Sequence, residues 1–143
     1  MKTVKQLLQG KATGVHTIGP DDPVIEALRR MAEREIGALP VVANGKLAGI
    51  LSERDYARKV VLQGKSSRDT PVREIMTSRV VCVGPQRTVD ECMALMTEKR
   101  IRHLPVIEHG ELIGLLSIGD LVKHRIDKIE AEAEAMRAYI QAA

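Results

Sequence analysis

The chain has 143 residues, 44% of them apolar and 29% charged, with a net charge of +3. That is about one domain of ordinary soluble composition. It excludes a membrane helix, because no apolar run nears the ~20 residues such a helix requires. The start, Met1-Lys2-Thr3-Val4-Lys5-Gln6, lacks a signal peptide's apolar stretch, so the cytoplasm is the expected location. With no Phe, no Trp and only Tyr56 and Tyr139, base stacking on aromatics is nearly unavailable. Basic residues are scattered among acids, which also argues against nucleic acid.

In chain order, Thr3-Val4-Lys5-Gln6 reads as a capping box opening a short helix through Gln9. Val15–Ile18 reads as a short strand, broken by Gly19-Pro20. Asp22-Pro23 predicts an N-cap followed by Pro at the first helical position. Val24, Ala27, Leu28 and Met31 then recur at helical spacing, as core rather than as a cofactor box. Leu39–Ala43 and Leu47–Ser52 flank Asn44-Gly45, a hairpin signal. A second helix starts near Glu53. A polar linker follows over residues 63–69, and Thr70-Pro71 opens a short helix over residues 72–76.

The pattern then returns 65 residues on. Val15–Asp55 aligns with Val80–Asp120 without a gap, and 17 of the 41 positions are identical. Val80–Val83 repeats the strand, and Thr88-Val89-Asp90-Glu91 fits a capping box. Val89, Cys92, Met93 and Met96 repeat the helical stripe, and His109-Gly110 repeats the turn. One copy alone would bury a marginal core, so two copies sharing a core are expected. Cys82 and Cys92 are expected as buried free thiols. His109 and His124 are expected to face solvent.

Repeat one with its leading helix spans 1–62, the linker 63–69, repeat two 70–124 and a C-terminal helix 125–143. On that helix Val122, Ile126, Ile129, Ala133, Met136 and Ile140 follow a 4-3-4-3-4 spacing. This a/d seam fits packing on its own domain or, preferably, on a second subunit.

No nucleophile elbow, glycine-rich dinucleotide fingerprint, phosphate loop or zinc spacing is present. The sequence thus offers no catalytic residue and no metal site. What recurs is Gly49-Ile50-Leu51-Ser52-Glu53-Arg54-Asp55 and Gly114-Leu115-Leu116-Ser117-Ile118-Gly119-Asp120. Each is a strand end turning into a helix. Ser and the free N–H groups of a helix start favour an anion such as phosphate. Asp, one turn on, can accept both hydroxyls of a cis-diol such as ribose. Simple helix capping is the alternative, and repetition at equivalent positions favours ligand binding.

Strand, Gly-Pro, helix, Leu-Pro-Val, turn and Gly-x-x-Ser-x-x-Asp, in tandem, resemble a pair of CBS (cystathionine-β-synthase) domains, a Bateman module. The resemblance covers about Val4 to Val122. It implies an α/β (α+β) fold of two βαββα repeats about a pseudo-two-fold axis, with two clefts for AMP, ADP, ATP or NAD, and less readily S-adenosylmethionine. Asp55 would hold ribose in one cleft, with Ser52 and Arg54 near phosphate and Ile50, Val80, Val81 and Thr77 around the base. Asp120 and Ser117 would serve the other, with Leu115, Val15, His16 and Thr13 around its base. Arg102 and His103 would reach phosphate from copy two, where copy one has Gly37-Ala38. The two clefts should therefore differ. The family implies a regulatory, non-enzymatic sensor of energy or redox state, a homodimer, and an unknown target enzyme as partner. A ligand-free dimerisation scaffold is the alternative.

Overall fold

The computed structural model describes residues 2–11 and 14–142. Helix α1 (Val4–Gln9) opens on the expected box: the Thr3 hydroxyl accepts the Gln6 N–H, and the Gln6 side chain accepts the Thr3 N–H. Helix α2 (Val24–Arg34) leads to strands β1 (Ala38–Ala43) and β2 (Lys46–Ser52). Helix α3 (Glu53–Tyr56) runs into a π-helical turn, Ala57–Val61. Copy two follows with α4 (Val89–Lys99), β3 (His103–Glu108), β4 (Glu111–Ser117) and α5 (Ile118–Ala142).

Both hairpins turn where expected. Asn44 and Gly45 take φ of 53° and 77°, and His109 and Gly110 take 51° and 78°. Two successive left-handed residues match the right-handed strand twist, which is why Gly holds the second place. Each hairpin carries the same irregularity, after Val41 in one and Val106 in the other.

Five local expectations are corrected. The segments at Val15 and Val80 are not strands but touch the sheet at one parallel bridge each, Ile18 beside Val41 and Val83 beside Val106. The Ile18 N–H donates to Pro40 and its carbonyl accepts Val42. Lengthening that ladder backward needs an N–H at residue 40, and proline has none; Pro105 stops the other copy alike. Asp22 does not cap α2; its carboxylate accepts the Gly19 N–H at 2.8 Å. The first N–H groups of α2 instead donate to carbonyls of Thr70 and Ser67. The helix after Pro71 is only a 3-10 turn, Val72–Glu74. Cys92 is buried but Cys82 is exposed, and His124 is half-buried.

The core is also not one. Val24, Ala27, Met31, Leu39, Val41 and Leu51 form a copy-one cluster with Val72 and Ile75. Val89, Cys92, Met96, Leu104, Val106, Leu116 and Leu121 form a copy-two cluster with Val4. Each copy thus completes its core with the segment leading into the other. The Val4 N–H donates to Arg87, while the Val72 N–H donates to Asp22. Val4 and Val72 are both fully buried, each contributing about 1.5–3 kcal/mol that neither repeat could supply alone. This exchange is the physical answer to the marginal core of a single repeat. It also fixes one copy against the other, and so positions whatever lies between them.

Candidate functional site

Each Ser-x-x-Asp lies where β2 or β4 passes into a helix. Ser52 caps α3: its hydroxyl accepts the Asp55 N–H at 3.2 Å, and Asp55 Oδ2 accepts the Ser52 N–H at 3.0 Å. Ser117 and Asp120 repeat this at 3.2 and 2.8 Å. The acid is therefore first a capping residue, with one oxygen turned back on its own turn. What the other oxygen does separates the clefts.

Asp55 is enclosed, at 8% exposure. Its Oδ1 accepts the Thr77 hydroxyl at 3.2 Å and faces Lys59 Nζ at 3.1 Å. Lys59 lies in the π-helical turn and also donates to the Ile75 carbonyl. Thr77 is held there by paired backbone hydrogen bonds with Ile50, both 2.9 Å. Gly49 permits that approach, since a Cβ on it would stand 2.7 Å from the Thr77 carbonyl oxygen. The structure so brings Ile50, Ser52, Asp55 and Thr77 together. Val80 and Val81 are half-buried, and Val81 packs against the copy-two core.

The Asp120 side is open. A cleft of about 160 Å3 lies between the copies, walled by Val15, His16 and Leu115 and also by Leu8, Ile36 and Lys11. Lys11 Nζ reaches Asp120 Oδ2 at 2.9 Å and the Leu115 carbonyl at 2.8 Å. Among the described residues, Asp120 Oδ1 has no hydrogen-bond partner. Burial would raise the Asp120 carboxyl, but hydrogen bonds from the Ser117 N–H, Lys11 and the Ser117 hydroxyl hold it below its ordinary value. Thr13 lies outside the described residues.

His103 reaches toward copy one: its ring lies 3.8 Å from where a Cβ on Gly37 would stand. Burial lowers its pKa, opposed by Asp120 and reinforced by Lys11 and Arg102. Arg54 and Arg102, read from sequence as separate phosphate contacts, line one groove together with Arg100. Lys11 and Lys59 were not singled out in the sequence. Lys59 sits four residues after Asp55, a spacing that pairs charges on a helix and would have revealed it. Lys11 meets Asp120 only through the tertiary fold.

In chemical terms the cleft offers apolar walls and the Lys11 ammonium, which is itself bonded to the Asp120 carboxylate. That set suits a flat apolar group joined to a diol and an anion. Among the described residues no helix is long and apolar enough to cross a membrane.

Comparison with known proteins agrees with this architecture. The family model described as CBS domain matches residues 5–62 and again 72–127. A solved structure of a protein with CBS domains from Burkholderia ambifaria MC40-6, for which a role in signal transduction has been suggested, superposes with a TM-score of 0.84. It is 55% identical and the match covers 88% of this chain and 95% of that one. The mitochondrial CBS domain-containing protein CBSX3 of Arabidopsis thaliana is 44% identical over 126 residues, 85% of this chain and 61% of that protein. The CBS domain-containing protein YhcV of Bacillus subtilis is 33% identical over 131 residues, 92% of this chain and 91% of that one. The chain thus spans less than two thirds of the Arabidopsis relative and nearly all of the Bacillus one.

Proposed function

Because the chain belongs to the CBS domain family, with two copies in tandem, we propose that it is a regulatory protein that binds an adenosine-containing ligand between its copies. The ligand is AMP, ADP, ATP or NAD, with S-adenosylmethionine less favoured, and occupancy reports energy or redox state. The observation that carries this reading is the Asp120 cleft. Its walls Val15, His16 and Leu115 suit a base, and the open Asp120 oxygen suits a ribose hydroxyl. Ser117 and Lys11 supply donors for phosphate, with His103 and Arg102 next in line.

The Asp55 cleft is the weaker site in this reading, because Lys59 and Thr77 already engage its carboxylate. Ile50, Ser52, Arg54, Val80 and Val81 would take their ligand only after that contact opens. Binding works by population shift: a ligand touching both copies favours one arrangement of them. The reading includes no catalytic step, a cytoplasmic location and pairing of two chains through the α5 seam. Val122, Ile126, Ile129, Met136 and Ile140 on that seam are 41–65% exposed, so their own domain does not cover them.

Titration calorimetry with AMP, ATP and NAD tests the reading. A bound ligand at 100 times its dissociation constant stabilises the fold by about 2.7 kcal/mol. Absence of binding by every one of these ligands would refute it. A second reading, a scaffold without ligand, draws on the capping role of both Ser–Asp pairs. It expects flat titrations together with intact pairing of chains.

A further inference from the structure

A groove straddling the copies, of about 440 Å3, holds Arg54, Arg100 and Arg102 over a floor that includes Met96, Ile101 and Ile118. All three arginines are exposed, and among the described residues none is in an ion pair. The repeat supplies a control for this face. Shifted back by 65 residues, Arg100 becomes Glu35 and Ile118 becomes Glu53; shifted forward by 65, Arg54 becomes Gly119. Glu35 and Glu53 are exposed and likewise in no ion pair among the described residues. The backbone is the same in both places: Glu35 closes α2 at φ 54° and Arg100 closes α4 at φ 55°. One face of the pseudo-two-fold therefore carries three positive charges, and the equivalent face carries two negative ones.

We propose that this polarity orients a dimer, the arginine groove, lined by copy two together with Arg54, receiving the Glu35–Glu53 edge of copy one from a second chain. A two-fold axis uses that contact twice, because each chain owns both faces. The opposite arrangement, copy two against copy two, would bring six guanidinium groups together without a counter-charge, and like charges at an interface are strongly disfavoured. The groove is also continuous with apolar surface in need of a cover. Ile118 on its floor starts a stripe that continues through Val122, Ile126 and Ile129, which are 41%, 49% and 56% exposed. A second copy at the groove meets both the charges and the start of the seam. The proposal rests on the pairing of two chains stated above, but on no ligand.

Arg100→Glu and Glu35→Arg carry the test, since neither residue lies in a ligand cleft. Both positions already hold a side chain in the left-handed region, so reversal adds no backbone strain. The measurement is sedimentation of the full chain over a concentration series. The wild type is expected as a dimer that weakens as salt rises from about 0.05 to about 0.5 M. Each reversal alone should raise the dimer dissociation constant about tenfold or more. An equimolar mixture of the two variants should regain wild-type affinity, because both contacts of the mixed dimer are again opposite in charge. Single variants that pair as well as or better than the wild type, or a mixture that stays weak, overturn this orientation while leaving pairing intact. A wild type that stays monomeric overturns pairing itself. A dimer insensitive to salt counts against the proposal without recourse to any variant.

Discussion

Lys11 Nζ lies 2.9 Å from Asp120 Oδ2, joining residues 109 positions apart across the boundary between the copies. The pair is partly exposed, with side-chain accessibilities of 39% and 29%, so solvent screens it. Lys11→Met should therefore cost only about 0.5–1 kcal/mol in chemical denaturation. Its clearer sign is the Asp120 carboxyl, whose pKa should rise when followed by carboxyl NMR, because Lys11 is one of the groups holding it down. An unmoved Asp120 titration would show that the Ser117 hydrogen bonds alone set its value.

The two acids should respond oppositely to the same change. Asp120→Asn keeps an oxygen for the cap but removes the charge at the open cleft. Nucleotide affinity should fall tenfold or more, a loss of about 1.4 kcal/mol, with little change in melting temperature. Asp55→Asn removes the buried partner of Lys59 and Thr77. It should cost about 1–3 kcal/mol of stability and disturb ligand binding less. Calorimetry and thermal melting on both variants decide this, and equal effects on binding would reject the ranking of the clefts.

Much of this site was legible because its chemistry is local. Ser52 with Asp55 and Ser117 with Asp120 form their boxes within one helical turn, so the residues and their places follow from four adjacent positions. Val15, His16 and Leu115, named through the family resemblance, line one cleft together. The exchange of lead-in segments was not legible, for a reason of register. The Lys2 and Thr70 carbonyls play the same part, accepting the N–H of Val89 and Val24, yet they stand 68 residues apart. The repeats themselves stand 65 apart. An ungapped alignment therefore never sets these lead-ins against each other. The failed strands have a different cause. Val15–Ile18 and Val80–Val83 have the composition of strands, but the prolines that cut their ladders lie in the neighbouring strands.

Gly49 and Gly114 occupy equivalent places but answer to different neighbours. A Cβ on Gly49 meets the Thr77 carbonyl oxygen at 2.7 Å, which is backbone held by two hydrogen bonds. A Cβ on Gly114 meets the Leu8 side chain at 2.6 Å, and a leucine can change rotamer. Gly49→Ala should cost about 1–3 kcal/mol, in the range of overpacked sites. Gly114→Ala should cost less in denaturation while narrowing the Asp120 cleft, whose wall includes Leu8, and so weaken ligand binding. A larger stability loss at Gly114 would contradict the assignment of the rigid contact to Gly49.

His103 gives the fold a dependence on pH. Burial, with Lys11 and Arg102 reinforcing it against the pull of Asp120, lowers its pKa from the ordinary 6.5. The folded chain thus prefers the neutral ring and binds fewer protons than the unfolded chain as acid is added. The stabilising contribution is complete above pH 6.5 and is lost as pH falls from there through the lowered folded value. Asp120, also lowered, adds a second loss that begins only below its ordinary 3.8. The window that opens below pH 6.5 consequently belongs to His103 and not to Asp120. His103→Gln, which keeps a polar side chain of similar reach, should flatten the stability profile across that window and leave the more acidic limb unchanged. Urea denaturation at half-unit pH steps reads both limbs, and a wild-type slope retained by the variant would remove His103 as its source.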